Sequence, residues 1–162
     1  MSKLAGEEYI AAYNRLYGAE HVALRYGNVY GPRQDPKGEA GVVAIFMNRL
    51  REGETPRIFG DGTQTRDYVY VGDVVAATLR AAGHAGGVLN VATGVETSVV
   101  ELYERIQRVA GAEREPEFAE ARPGELQRSV LDASLAKREL GWEPQHSLDE
   151  GLAETWAWIS SA

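Results

Sequence analysis

Apolar residues recur at helical spacing in several stretches of the chain and form short continuous runs between them. From Lys3 to Tyr17 they follow every third or fourth position, and Gly18 comes next as a typical helix-ending residue. The same spacing, bounded by capping residues, predicts further helices at Val42–Glu52, Asp73–Ala82, Ser98–Gly111, Asp132–Gly141 and from Ser147 onward. Apolar runs predict strands at His21–Tyr26, Arg57–Phe59, Asp67–Tyr70, Val88–Val91 and near Phe118. Helices and strands alternate along residues 1–162, so we expect a single domain of mixed α/β class.

Two segments between these elements are predicted to be irregular. The stretch from Gly27 to Gly41 holds four glycines and two prolines in fifteen positions, which favours a long loop over a regular element. Long loops in compact domains tend to carry function. The Gly60–Gly62 segment is predicted to be a tight turn that joins the strand at Arg57–Phe59 to the strand at Asp67–Tyr70.

The amino-acid composition argues against several classes of binding partner and site. The chain has 162 residues with 17 Lys+Arg against 24 Asp+Glu, and its net charge of −7 argues against a nucleic acid or an anionic membrane held by bulk electrostatics. It has no cysteine, which excludes disulfides, thiolate metal sites and cysteine nucleophiles. The longest apolar run, Val42–Met47, is too short to cross a bilayer, and the first residues lack the apolar core of a signal peptide. We therefore expect a cytoplasmic protein, and its three scattered histidines predict no metal site.

Three segments place charged or amide side chains beside glycine. Gln64 and Arg66 share one face of an extended chain, where they can meet the same anion, although periodicity alone favours a solvated edge strand. Arg122 and Glu125 flank a Pro–Gly turn. A guanidinium suits a diphosphate and a carboxylate suits vicinal hydroxyls, but an exposed turn with an ordinary ion pair is the alternative. Asn28 follows a buried strand, where ligands of open α/β sheets bind, or it merely tolerates unusual backbone angles.

Taken in order, these segments resemble one family. The chain contains, in this sequence, SKLAGE, LRYGNVYGPRQ, IFGDGTQTRDYVYVGDVV, NVATG, RPGE and LGWEPQHSLDEGL. The series resembles the nucleotide-sugar epimerases and dehydratases of the extended short-chain dehydrogenase/reductase family, and it is most similar to the UDP-glucose 4-epimerases. The resemblance covers essentially all 162 residues. It implies the C-terminal half of a Rossmann-type epimerase fold, without the N-terminal NAD-binding strands.

The same resemblance implies NAD as the cofactor of the full-length family and a catalytic Tyr-x-x-x-Lys pair. Lys3 matches the lysine, but the tyrosine would precede Met1, and the sequence holds no Gly-rich G-x-G-x-x-G loop. A tyrosine acts as a base only when a nearby ammonium lowers the pKa of its phenol, so a lysine alone has nothing to activate. Tyr26 matches a position near the nicotinamide. We therefore expect the isolated chain to be catalytically incomplete and to bind no NAD by itself.

The part of the family's fold to which this chain corresponds is the substrate-binding half. The resemblance assigns to it Asn28, Ile58, Phe59, Arg66, Arg122 and Glu125, and Gln64 joins them because it shares a face of the extended chain with Arg66. The diphosphate is assigned to Asn28, Arg66 and Arg122, the ribose hydroxyls to Glu125, and the border of the nucleobase to the Ile58–Phe59 segment. A nucleotide-sugar, with UDP as the favoured nucleotide, is therefore the expected ligand.

Two other hypotheses stay open at this point. A separate chain could supply the Rossmann half and restore an active UDP-glucose 4-epimerase, or the chain could be a non-catalytic binding or RNA-associated module, which the acidic charge disfavours. The strands at His21–Tyr26 and Val88–Val91 would lack their sheet neighbours, so we expect a homo-oligomer or pairing with a complementing Rossmann-half chain. Gly27 stands where epimerases often carry a bulky residue, which leaves the sugar open.

Overall fold

The computed structural model describes residues 2–37 and 41–161, in which helices and short strands alternate along the chain. The helices are α1 (Ser2–Tyr17), α2 (Val42–Arg51), α3 (Val71–Ala81), α4 (Val99–Ala110), α5 (Ser134–Leu140) and α6 (Leu148–Ser161). The strands are β1 (Val22–Tyr26), β2 (Asn28–Tyr30), β3 (Arg57–Phe59), β4 (Thr65–Arg66), β5 (Tyr68–Tyr70), β6 (Gly87–Val91), β7 (Thr97–Ser98), β8 (Glu117–Ala119) and β9 (Arg128–Ser129). The predicted mixed α/β class is confirmed.

The strands form four small sheets within the described residues. β1 pairs with β6, β2 with β5 and β3 with β8, in each case in parallel. β4 lies between β7, to which it is antiparallel, and β9, to which it is parallel. Parallel partners need a long crossover connection, so every such pair brings together segments that are far apart in the sequence.

Two predictions about local structure are wrong. The segment from Gly27 to Gly41, of which residues 38–40 lie outside the described ranges, is not wholly irregular, because it contains β2. This strand pairs with β5 and places Asn28 opposite Tyr68. β3 and β5 do not form a hairpin around the Gly60–Gly62 turn, since each of them pairs with a strand elsewhere in the chain. Local patterns cannot identify such distant partners.

α3 begins earlier than its predicted cap. Tyr70 occupies the N-cap position, and Asp73 is buried in the first turn of the helix. The Asp73 carboxylate accepts hydrogen bonds from the backbone N–H groups of Gln145 and His146, both at 3.1 Å, and lies 3.0 Å from His146 Nδ1. Asp73 therefore anchors the segment that leads into α6 instead of capping α3.

The capping boxes predicted for α4 and α6 differ in completeness. At α6, Ser147 Oγ accepts from the Glu150 N–H at 3.3 Å, and the Glu150 carboxylate accepts from the Ser147 N–H at 2.8 Å, so both halves form. At α4, Ser98 Oγ accepts from the Glu101 N–H at 3.1 Å, whereas the Glu101 carboxylate pairs with Arg105. Both helices nevertheless begin where the capping residues predict.

Two apolar clusters form the core. One packs α2, α4 and α6 against β2 and β5, and its largest fully buried side chains are Phe46, Met47, Ile58, Leu102, Tyr103, Ile106 and Leu152. The other lies between α3, α5 and the strands β5 and β6, and includes Val69, Leu89, Val91 and Trp142. The indole N–H of Trp142 donates to the Asp73 carbonyl at 2.9 Å, which joins this cluster to the start of α3.

α1 contributes no side chain to either cluster. The predicted helix forms, but the apolar stripe that it carries is exposed on Tyr9, Tyr13, Leu16 and Tyr17. Two hydrogen bonds of 2.8 and 2.6 Å between Arg25 and the Glu7 carboxylate hold α1 against β1. No helix among the described residues is both long and apolar enough to cross a membrane.

Candidate functional site

A cavity of about 550 Å³ lies between α2, β3, the β4–β5 segment and the turn at residues 122–125. Its lining includes all the residues that the sequence assigned to substrate binding, namely Asn28, Ile58, Phe59, Gln64, Arg66, Arg122 and Glu125. These residues come from four separate parts of the sequence, so only the fold brings them together. A more open depression of about 600 Å³ beside Thr93, Leu131 and Lys137 contains none of them.

The alternation of side chains along the strands places three polar groups on one side of the cavity. Asn28 lies opposite Tyr68 in the β2–β5 pairing, and Arg66 precedes Tyr68 by two positions. Side chains at alternate positions of an extended chain project to the same face. Asp67 lies between them, and its buried carboxylate accepts hydrogen bonds from the N–H and the hydroxyl of Thr93 at 2.9 and 2.7 Å. Asp67 thereby anchors the junction from which Arg66 and Tyr68 extend.

Arg66 is held in the cavity wall by three acceptors. Its Nη1 donates to the carbonyl oxygens of Thr65 and Leu126, each at 2.7 Å, and its Nη2 donates to Glu125 Oε1 at 3.3 Å. A guanidinium has five N–H bonds. The N–H at Nε and one of the two N–H bonds at Nη2 therefore have no partner among the described residues.

The guanidinium of Arg122 lies over the face of Phe59, with its carbon 3.9 Å from the ring centre. A cation in this position is attracted by the electron-rich face of the ring. Arg122 does not pair with Glu125, whose carboxylate is directed to Arg66 instead. The turn is exposed at residues 122–124, as the alternative interpretation has it, but its ion pair joins Glu125 to Arg66 and not to Arg122.

Gln64 lies inside the wall, with 6% of its surface exposed. Its side-chain amide donates to the Phe59 carbonyl at 2.9 Å and so ties the end of β3 to the start of β4. β4 is the central strand of its sheet, because β7 and β9 cover its two edges. The solvated edge strand that periodicity favoured is therefore wrong for this segment.

Three further polar residues line the cavity without having been predicted as site residues: Arg49, Arg57 and Tyr68. Arg49 donates to the Thr55 carbonyl at 3.2 Å, and Arg57 pairs with Glu117 at 3.2 Å. Arg57 could have been predicted as a site residue from its position next to Ile58 in a predicted strand. Nothing in the sequence distinguished Arg49 from an ordinary basic residue in the last turn of a helix. Together with Arg66 and Arg122 they bring four guanidinium groups and the single carboxylate of Glu125 to one cavity of an acidic protein.

The residues assigned to catalysis and cofactor binding lie elsewhere. Lys3 is exposed on α1, and Tyr26 is about half exposed at the end of β1, where its hydroxyl lies 3.3 Å from Thr78 Oγ1. Neither lines the cavity. In residues 2–37 and 41–161, no group of three His, Asp or Glu side chains is arranged to hold a metal ion. The structure thus offers a cavity lined by four arginines, with Phe59 in its wall.

Comparison with known proteins identifies the family. A family model described as the NAD dependent epimerase/dehydratase family matches residues 1–92. A putative UDP-glucose 4-epimerase of Methanocaldococcus jannaschii is 49% identical over 161 residues, which cover 99% of this chain and 52% of that protein. The chain belongs to the NAD-dependent epimerase/dehydratase family. The resemblance found in the sequence motifs is therefore confirmed.

Two other relatives of this epimerase-family chain extend the comparison. A UDP-glucose 4-epimerase of Mycolicibacterium smegmatis is 55% identical over 155 residues, covering 94% of this chain and 50% of that protein. The crystal structure of a UDP-glucose 4-epimerase with UDP-glucose from Thermotoga maritima matches with a TM-score of 0.95 at 46% identity, covering 98% of this chain and 52% of that one. The chain thus spans about half the length of the relatives it matches.

Proposed function

We propose that this chain is the nucleotide-sugar-binding part of an NAD-dependent sugar epimerase, and that the cavity of about 550 Å³ receives a UDP-sugar. The observation that carries the proposal is the convergence of four guanidinium groups on a cavity of a chain whose net charge is −7. Arg57 and Arg66 pair with Glu117 and Glu125, and Arg49 lies 4.0 Å from Glu54, so Arg122 is the one of the four without a carboxylate partner among the described residues. The planar donors of a guanidinium suit a diphosphate. That a related structure is described with UDP-glucose supports the choice of nucleotide.

Each part of the ligand is assigned to a group with suitable chemistry. The two N–H bonds of Arg66 that have no partner among the described residues would bind the diphosphate, together with Asn28 and Arg122. Glu125, oriented by Arg66 at 3.3 Å, would accept hydrogen bonds from the ribose hydroxyls. The Ile58–Phe59 segment would border the nucleobase, which would then meet the Phe59 ring now covered by Arg122 at 3.9 Å.

We further propose that the chain alone is catalytically incomplete. NAD, when bound by a member of this family, accepts a hydride from the sugar and returns it. The residues of this chain do not fit that cofactor by themselves, because the 162-residue sequence holds no G-x-G-x-x-G loop and both Lys3 and Tyr26 are exposed.

The exposed apolar surface supports a second part of the proposal. α1 exposes Tyr9, Tyr13, Leu16 and Tyr17, and within the described residues β1 pairs on one side only, with β6. Exposed apolar patches and open strand edges are typical of surfaces that another segment covers. We propose that the half of the relatives' length that this chain does not span is an NAD-binding part, that it covers this surface in the same protein or as a complementing chain, and that the assembly works in the cytoplasm. Light scattering of the isolated chain at high micromolar concentration tests whether the exposed surface of α1 and β1 associates with another chain. A strictly monomeric mass counts against it.

Ligand-observed NMR by saturation transfer tests the binding function directly. UDP and UDP-glucose are each offered to the chain, and glucose serves as the control ligand. We expect saturation transfer to both nucleotides, loss of the UDP-glucose signal when UDP is added in excess, and no transfer to glucose. The proposed function is contradicted if UDP receives no saturation transfer. It is also contradicted if excess UDP-glucose does not displace UDP and reduce its signal.

A further inference from the structure

Asp67 carries one of the two buried carboxylates among the described residues, with 1% of its surface exposed; the other belongs to Asp73. Its Oδ1 accepts from the N–H and the hydroxyl of Thr93 at 2.9 and 2.7 Å. Its Oδ2 accepts from the N–H groups of Gly94 and Leu131 at 2.9 and 3.4 Å. A buried carboxylate is costly unless hydrogen bonds compensate it, and here four uncharged donors do so. The side chain therefore holds the loop after β6 and the chain after β9 at one point.

The backbone of Asp67 is tied to the cavity. Its carbonyl accepts from the Asn28 N–H at 2.6 Å. Its neighbours in the chain, Arg66 and Tyr68, both line the cavity, which Asp67 itself does not. Side chains at successive positions of an extended chain project to opposite faces, so the Asp67 carboxylate is directed away from the cavity that Arg66 enters. Asp67 therefore joins the cavity wall to the segment that follows β6.

We propose that Asp67 is a positioning residue for nucleotide binding, whose carboxylate holds the backbone from which the Arg66 side chain enters the cavity. The inference rests on the proposed function, because its main consequence is measured on a nucleotide in the cavity. Arg66 also holds the Leu126 carbonyl at 2.7 Å and Glu125 at 3.3 Å, so its direction sets the position of that carboxylate. A shift of the chain at Asp67 displaces both groups, although Asp67 contacts no ligand itself.

The substitution Asp67→Asn disturbs this anchor. The amide keeps an oxygen for Thr93 but directs an NH₂ group at the N–H groups of Gly94 and Leu131, where donor meets donor. Asp73→Asn is the matched control, since the Asp73 carboxylate is 2% exposed and also accepts from two backbone N–H groups, but lies outside the cavity. In titration calorimetry, Asp67→Asn should weaken UDP binding about threefold to tenfold, whereas Asp73→Asn should bind UDP like the wild type. Both variants should be less stable than the wild type, so stability alone does not distinguish them.

A double-mutant cycle with Arg66→Ala separates positioning from a general loss of folded protein. If Asp67 acts through Arg66, Asp67→Asn has no guanidinium left to displace in the Arg66→Ala background. The UDP affinities of Arg66→Ala and of the double variant should then agree within about twofold. Losses that add in full overturn the inference. So does an unchanged UDP affinity in Asp67→Asn, or an equal loss of affinity in Asp73→Asn.

Thr93→Val is a milder variant, which keeps the N–H donor to Asp67 and removes only the hydroxyl donor. It should weaken UDP binding about twofold or more, and it tests the same anchor if Asp67→Asn does not fold. Unchanged UDP affinity in a folded Thr93→Val then counts against the inference.

Nitrogen NMR of the Arg66 Nε–H group needs no ligand. Its resonance should move in Asp67→Asn and in Thr93→Val, and stay in place in Asp73→Asn. If the wild type does not bind UDP, the proposed function fails, and an unmoved Arg66 resonance overturns the positioning role separately. If the wild type binds UDP and Arg66→Ala weakens that binding while Asp67→Asn changes neither the affinity nor the resonance, only the inference about Asp67 fails.

Discussion

Arg66 and Glu125, 59 positions apart in the sequence, form a partly buried ion pair in the wall of the cavity, with Nη2 3.3 Å from Oε1. The same guanidinium holds the Leu126 carbonyl at 2.7 Å, so Arg66 fixes the backbone beside Glu125 as well as its carboxylate. A carboxylate oriented in this way is ready to accept hydrogen bonds from a ligand before the ligand arrives, which lowers the cost of ordering on binding.

Glu125→Gln should weaken the binding of UDP by about tenfold, because the amide keeps an oxygen for Arg66 but is a weaker acceptor for the ribose hydroxyls. Titration calorimetry with UDP and with its 2′,3′-dideoxy analogue measures this. The analogue has no hydroxyl for Glu125 to accept, so the wild type and the variant should bind it equally. A loss of the same size for both ligands means that Glu125 acts only through Arg66.

Gly62→Ala should lower the free energy of unfolding by about 2–4 kcal/mol, because the cost of an alanine in a left-handed backbone conformation adds to the cost of overpacking its neighbours. Gly62 has a φ of +76°, and a Cβ atom there would contact the Val100 side chain and lie 3.0 Å from Ile58 Cγ2. Gly53→Ala is the control, since Gly53 has a φ of +72° with open space around it, and its loss should be about 1 kcal/mol. Chemical denaturation of both variants measures the difference. Equal losses contradict the close packing at Gly62.

The ion pair between His146 and Asp73 predicts a pH-dependent stability. The Asp73 carboxylate, 3.0 Å from Nδ1, raises the pKa of His146 above its usual range, and Glu154 and Glu150 act in the same direction. The stabilisation is therefore fully present below the unfolded-state pKa of about 6.5 and is lost as the pH rises through the folded-state value. Denaturant titrations of the wild type and His146→Asn, from about pH 5.5 to pH 8.5, should show this decline only in the wild type. Parallel pH profiles for the two proteins argue against it.

The isolated chain should show no epimerase turnover with added NAD, because its sequence holds no Gly-rich loop and both Lys3 and Tyr26 are exposed outside the cavity. A coupled assay for conversion of UDP-glucose to UDP-galactose measures this, with a full-length UDP-glucose 4-epimerase as the positive control. Conversion by the pure chain would contradict the proposal of catalytic incompleteness. Conversion only after a Rossmann-half chain is added supports the complementation that we propose.

Helix ends were predictable because their causes are local. Gly111 and Gly141 end α4 and α5 with φ of +61° and +57°, which glycine adopts without strain. The Ser147–Glu150 box likewise needs only four residues. Strand pairing was not predictable in the same way, since β2 meets β5 and β3 meets β8 across long stretches of chain. The error at Asp73 has the same origin, because its partners Gln145 and His146 follow it by more than 70 positions.

The sequence predicted which residues form the candidate site but not which contacts they make there. The family motifs indicated six residues and the face shared with Arg66 indicated Gln64, and the structure brings all seven to one cavity. No motif indicated that Glu125 would turn to Arg66, that Arg122 would cover Phe59, or that the Tyr68 hydroxyl would be left without a partner. Those contacts depend on the packing of segments that are distant in the sequence.

Titration calorimetry of UDP with the wild type, Arg66→Ala and Arg122→Ala tests the diphosphate site most directly, with Arg108→Ala, which does not line the cavity, as the control. Each charge-assisted contact contributes about 1.5–3 kcal/mol, so losing either cavity guanidinium should weaken UDP binding about tenfold to a hundredfold. Arg66→Lys should be nearly as harmful, since an ammonium keeps the charge but loses the fork. The control should bind like the wild type. Micromolar UDP binding that neither Arg66→Ala nor Arg122→Ala changes would contradict the account.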